Sequence, residues 1–187
     1  MNVKSTTVCL AFAMALSLCG LTAAHADDLS TPRGRVLMLL MAYDAFPKAA
    51  DFKAVAQEPK AHLLDIYGDT STSHGIRLQA LDALSLMPDE EVLRLYLDIL
   101  GGCWAPEAAR ECHRALSATM HGFGAAALEH AALFLDHPDL QMRLTAAHVI
   151  ARSGGDVGRE ILAAHLDKES SKLVREKIER ETRTLLR

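Results

Sequence analysis

Histidine and cysteine carry most of the chemistry this chain could do. Of its nine histidines, His25 lies near the start, and the others are His62, His74, His113, His121, His130, His137, His148 and His165. None forms H-E-x-x-H or another metal-ligand pair at one-turn spacing. Cys112 and His113 are adjacent, but neighbours on a helix point about 100° apart. A site drawing on Cys112, His113 and His121 is a catalytic grouping the residues offer; structural or surface histidines are the plainer reading. G-x-S-x-G, P-loop and dinucleotide-binding glycine patterns are missing. The glycines of GGDVG, residues 154–158, precede a helix, where a phosphate could sit. With no lysine and no preceding strand they read as a turn. Trp104, the only tryptophan, is in a loop beside Cys103. Tryptophan is enriched at binding hot spots, yet here it is expected to cover a Cys103–Cys112 link and pack on the neighbouring helix.

The compartment decides how the cysteines are read. A lysine at position 4, the apolar run VCLAFAMALSLCGL and the small-residue stretch TAAHADD make a secretory signal peptide over residues 1–26, with cleavage after Ala26. An uncleaved membrane anchor is the other reading of the same run. Cleavage removes Cys9 and Cys19 and leaves Cys103 and Cys112, an even pair in an exported chain, which favours a disulfide over two buried thiols. The expected location is periplasmic or secreted.

The remaining chain has the size of one domain. Its balance is mildly acidic, with 20 Lys and Arg against 24 Asp and Glu over the whole sequence. That argues against the basic face a nucleic acid requires. Alanine and leucine outweigh aromatic residues, which suits close-packed helices better than a β-sandwich.

The helices are legible from their ends. Thr31 and Pro32 start one that should run to Pro47. Pro59 divides the next stretch into two pieces. A helix begins near Gly75, and another at Pro88 with Asp89, Glu90 and Glu91, acids suited to a first turn. A further helix starts near Pro106, and GAAALEHAALFLD reads as buried on most sides. Asp139 opens LQMRLTAAHVIARS, and Gly154 and Gly155 end it. The last helix, ESSKLVREKIERETRTLLR, carries a charged mixture that reads as a solvated face or a partner-binding surface. The chain is read as all-α.

Four of these helices share a pattern. Arg77, Arg110, Arg143 and Arg175 are separated by 33, 33 and 32 residues. Each follows an apolar or small residue and precedes apolar positions. A constant period in this range marks stacked helical pairs. Each such helix B follows a shorter, more apolar helix A, at 60–67, 90–100, 124–135 and 157–166. The arginines are expected to bond carbonyls or carboxylates where neighbouring units join. The second copy fits better if Ala109 takes the arginine's place. The helix bearing Arg35, Val36, Met38 and Met41 is a cap or a divergent fifth copy.

A polar turn such as HPDLQ, then apolar-Arg, then A-x-x-A or A-A-x-x-I, resembles HEAT repeats, particularly the short kind seen in phycobilin-lyase-like proteins. The resemblance covers residues 60–187, behind capping helices in 27–59, and implies an α-solenoid of about four antiparallel helix pairs. It also implies binding of a protein partner through a concave face lined by helix B, with no common chemistry, cofactor or metal. Helical phase assigns that face to Gln79, Asp82, Glu111, Arg114, Thr145, His148 and Glu179. Glu181, where an apolar residue is expected, fits a terminal capping unit. No nucleic acid is expected, and no membrane once the signal is cleaved. The alternatives are a lyase-like enzyme or enzyme-associated subunit, which would want a free reactive Cys112, and a chaperone-like polypeptide binder, which would want a large apolar groove.

Overall fold

The computed structural model describes residues 29–42, 46–104 and 109–184. The expected signal peptide with cleavage after Ala26, and the expected helix start at Pro106, lie outside them. The described residues are helical and contain no strand. In chain order they are α1 (Pro32–Met41), α2 (Ala49–Val55), α3 (Pro59–Gly68), α4 (His74–Leu84), α5 (Glu90–Gly101), α6 (Ala109–Phe123), α7 (Leu128–Leu133), α8 (Leu140–Ser153), α9 (Gly155–Leu166) and α10 (Lys172–Thr184). Short 3-10 turns, Gly124–Ala127 and Phe134–Asp136, flank α7.

The chain sets these boundaries with local chemistry. Thr31 accepts a hydrogen bond from the Gly34 amide, and Pro32 opens α1 with a nitrogen that has no proton to lose. Asp89 accepts from the Val92 amide, with Glu90 and Glu91 in the positive first turn of α5. Asp139 does the same for the Met142 amide at the start of α8. Gly155, at φ +55°, makes the sharp turn from α8 into α9.

Two sequence expectations are revised. The first helix stops at Met41, well before Pro47; Ala42 is already extended, and Phe46 to Lys48 are outside any helix. The stretch GAAALEHAALFLD is not one buried helix. Gly124, at φ +51°, starts a 3-10 turn, and only Leu128–Leu133 is α-helical. Ala125 and Ala126 are exposed, and Leu133 is 62% exposed.

Packing follows chain order. α3 lies on α4, α5 on α6, α7 on α8 and α9 on α10, while α4 contacts α6, α6 contacts α8 and α8 contacts α10. α1 rests on α2, α3 and α4. One buried cluster runs through all of them, from Val36 and Phe52 through Leu81, Tyr96, Leu116 and Ile150 to Ile178. Burial of each such leucine or isoleucine contributes about 1.5–3 kcal/mol. Alanines at 80, 83, 115, 118, 146 and 147, all buried, keep helices α4, α6 and α8 close together. Gly154 and Gly158 do the same where α9 crosses α8. A Cβ on Gly158 would lie 2.7 Å from the Ile150 carbonyl oxygen.

Polar bonds tie the layers. Tyr96 of α5 donates to the Leu81 carbonyl of α4 at 2.8 Å. Arg33 of α1 pairs with Asp65 and Asp69 at 2.6 and 2.7 Å. Arg35 holds the end of α2 by donating to the Val55 carbonyl at 3.0 Å.

Candidate functional site

Burial gives the register of α4, α6, α8 and α10. In α4 the fully buried pairs are Ala80–Leu81 and Ala83–Leu84. In α8 the buried pairs are Ala146–Ala147 and Val149–Ile150, and in α6 they are Ala115–Leu116 and Ala118–Thr119. Arg77 and Arg143 each stand three residues before the first pair. Arg175 stands three before buried Ile178. In α6 that position belongs to Cys112, not to Arg110 or Ala109. A constant period pointed to Arg110, whereas the spacing is 35 residues from Arg77 to Cys112 and 31 from Cys112 to Arg143. The Arg110 side chain lies outside what is described.

The arginines at this level grip the backbone leading into their own helix. Arg77 Nε donates to the Tyr67 carbonyl at 2.8 Å, with its guanidinium over the Tyr67 ring. Arg143 Nη1 donates to the His137 and Pro138 carbonyls, and its Nε pairs with Glu169 at 3.1 Å. Arg175 reaches the Glu169 carbonyl at 3.5 Å. Cys112 does the corresponding job covalently: it forms a disulfide with Cys103, with the Cα atoms 5.7 Å apart. The free Cys112 thiol that a lyase-like activity would want is therefore tied up in this bond.

Trp104 lies against the same junction. Its ring is 4.7 Å from His137 and 5.8 Å from Phe134, and it remains 51% exposed. His137 is fixed at both nitrogens: Nδ1 accepts from the Asp139 amide, and Nε2 donates to the Cys103 carbonyl. Glu169 is a second organising group, its side chain 3% exposed. It meets Arg143 at 3.1 Å, His165 at 3.3 Å and the Ser171 amide at 2.7 Å. Burial alone would raise its pKa, but these partners bring it below the ordinary carboxylate value.

Most of the residues assigned to the open face are engaged with other side chains, and only Asp82 and Arg114 with each other. Asp82 of α4 and Arg114 of α6 form an ion pair. His113 of α6 meets Thr145 of α8 at 3.0 Å. His148 of α8 meets Glu181 of α10 at 3.1 Å and Lys177 at 3.3 Å. Each contact bridges neighbouring members of the α4, α6, α8, α10 row. Gln79 is half-buried on α4. Glu179 pairs along α10 with Arg183 at 3.4 Å. Glu111 turns the other way and accepts a short hydrogen bond from the Tyr67 hydroxyl of α3. Burial and this carboxylate both push the Tyr67 phenol above its usual range.

Two hollows open along the row. One, of about 450 Å3, lies over α6, α8 and α10 and includes Ser117, Leu144, Thr145, His148, Leu173 and Lys177. The other, of about 330 Å3, lies over α4 and α6 between Phe46, Asp82, Leu86 and His121. Sequence reading missed Lys177 and Glu181 as members of this face. Their helix is so charged that both passed for solvated or capping residues. The only signal was their spacing of three and seven from Val174, a buried position. Among the described residues, no group of three His, Cys, Asp or Glu is placed to hold a metal, and no helix is long and apolar enough to cross a membrane.

Comparison of the chain with protein-family models, curated proteins and solved structures gives no match.

Proposed function

We propose that this protein is an exported, non-catalytic scaffold: an α-solenoid of about four HEAT-like antiparallel pairs, α3–α4, α5–α6, α7–α8 and α9–α10, capped by α1 and α2. The face of α4, α6, α8 and α10 holds a protein partner. The observation that carries this reading is the side-by-side contact of these four helices in sequence order, with polar pairs between neighbours. Helical pairs that stack in this way expose an extended surface made of one helix from each unit. With no family or structural match, the reading rests on the chain's own residues.

The test compares partner capture by the wild-type chain and by a variant with Asp82, Arg114 and His148 changed to alanine, after mild crosslinking in envelope extracts. One dominant partner, lost in a variant that keeps its helicity, is the expected result. A partner retained equally by both overturns the assignment of the face. No partner overturns the scaffold. N-terminal sequencing of the exported chain should begin at Asp27.

A further inference from the structure

At the edge of the larger hollow, two of its lining groups, His148 and Lys177, compete for one oxygen of Glu181. His148 Nδ1 is 3.1 Å from Glu181 Oε1 and 3.3 Å from Lys177 Nζ, and Lys177 Nζ is 2.5 Å from that same Glu181 oxygen. A neutral imidazole with its proton on Nε2 offers Nδ1 only as an acceptor, so it takes the lysine's hydrogen bond. A protonated imidazole offers Nδ1–H only as a donor, so it bonds the carboxylate and repels the ammonium. Histidine is the side chain that makes this change between about pH 5 and 8. The imidazole is held close to α8 by a short side chain, while the lysine has a flexible four-carbon stem. When both are cationic, it is the lysine that moves.

We propose that His148 is a proton-operated selector: its protonation transfers Glu181 from Lys177 to the imidazolium and turns the Lys177 ammonium into the hollow, where it binds a carboxylate of an acidic partner segment. This rests on the docking face proposed above and adds its regulation and the chemistry of its partner. The hollow suits that occupant. Leu144 and Leu173 give it apolar wall, Ser117 and Thr145 give hydroxyls, and Lys177 stands beside Arg180. Of the nearby carboxylates, Glu176 lies 3.7 Å from Lys172 at the exposed rim and Glu181 goes to the imidazolium. The other ionisable groups around α8 are placed elsewhere. His113 of α6 faces Thr145, a turn earlier. Arg152 is exposed a turn later, and Glu129 and His130 of α7 are exposed. His165 of α9 is turned to Glu169 and Asp136.

The experiment is calorimetric titration of the full mature chain with an acetylated, amidated Glu-Leu-Glu-Leu-Glu peptide at pH 5.5 and 7.5, in buffers of different ionisation enthalpy. The expected result is binding at least tenfold tighter at pH 5.5, with proton uptake on binding at pH 7.5. The His148→Gln variant should bind weakly at both values. Glu181→Gln, which frees Lys177 at any pH, should bind tightly at both. Helicity of each variant is checked by circular dichroism. Equal wild-type affinity at the two pH values, or pH dependence surviving in His148→Gln, overturns the selector. Equal binding of a Lys-Leu-Lys-Leu-Lys peptide, or no binding of the acidic one, overturns the acidic occupant. Partner capture reads the docking face without reference to pH, so failure here leaves that reading to its own test.

Discussion

Cys112 of α6 occupies the level that Arg143 holds in α8. Each stands three residues before a fully buried pair, Ala115–Leu116 in one helix and Ala146–Ala147 in the other. Each fixes the backbone that leads into its own helix: Arg143 by bonds to the His137 and Pro138 carbonyls, Cys112 by its disulfide to Cys103. One structural task is thus done by two chemistries.

The first expectation follows from that exchange. Replacing both cysteines by serine removes the disulfide from the α5–α6 junction. The loop closed is short, so the loss should be about 2–3 kcal/mol. Urea unfolding of the double variant, set against the wild type with and without reductant, measures it. The reduced wild type should approach the variant.

The crossing of α8 and α9 should tolerate no side chain at Gly158, whose Cβ would meet the Ile150 carbonyl at 2.7 Å. Gly158→Ala is expected to cost about 1–3 kcal/mol through overpacking. Gly75 has open space around the same position. There the change to alanine should raise stability by about 0.5 kcal/mol, by restricting the unfolded chain. Thermal melts of the two variants should move in opposite directions.

Glu169 makes stability depend on acid. Its folded-state pKa lies below the ordinary value, so its contribution is present above the unfolded pKa and is lost as pH falls through the folded one. Glu169→Gln should cost about 1–3 kcal/mol at pH 7, because a buried charged hydrogen bond to Arg143 becomes a neutral one. The gap between variant and wild type should close toward pH 3, followed by denaturant midpoints.

Asp82 has the opposite sign. Burial raises its carboxyl above the ordinary value, and Arg114 brings it only part of the way back. A raised carboxyl favours folding below the unfolded pKa, and that advantage is lost as pH rises through the folded one. Both side chains are partly exposed, which screens the pair. Asp82→Asn should therefore be neutral or slightly stabilising at pH 7, within about 1 kcal/mol. Its advantage should vanish near pH 3.5 in the same urea measurement.

Much of the architecture could be read from the chain because its punctuation is local. Thr31, Pro32, Pro59, Asp89 and Asp139 mark helix starts through bonds and restrictions spanning a few residues. The register of α6 could not be read in that way. Arg110 gave a regular period, and only burial of Cys112 and Ala115 shows that the helix is phased differently. Helical phase alone put Asp82, Arg114, Thr145 and His148 on one side of their helices, and each of them meets a neighbouring helix of the row. The direction of Glu111 was not, because its partner Tyr67 is 44 residues away and on another helix. Lys177 and Glu181 were hidden for a similar reason: i,i+4 pairs look solvent-facing until a neighbouring helix supplies His148.

The placement of Trp104 has an optical consequence. It is the only tryptophan in the chain, it follows a disulfide-bonded cysteine directly, and its ring lies 4.7 Å from an imidazole. A disulfide accepts an electron from an excited indole and quenches its emission. Reduction of the Cys103–Cys112 bond is therefore expected to brighten the Trp104 emission. The protein carries its own fluorophore at the seam between α5 and α6, so the state of that seam can be followed in solution without attaching a label.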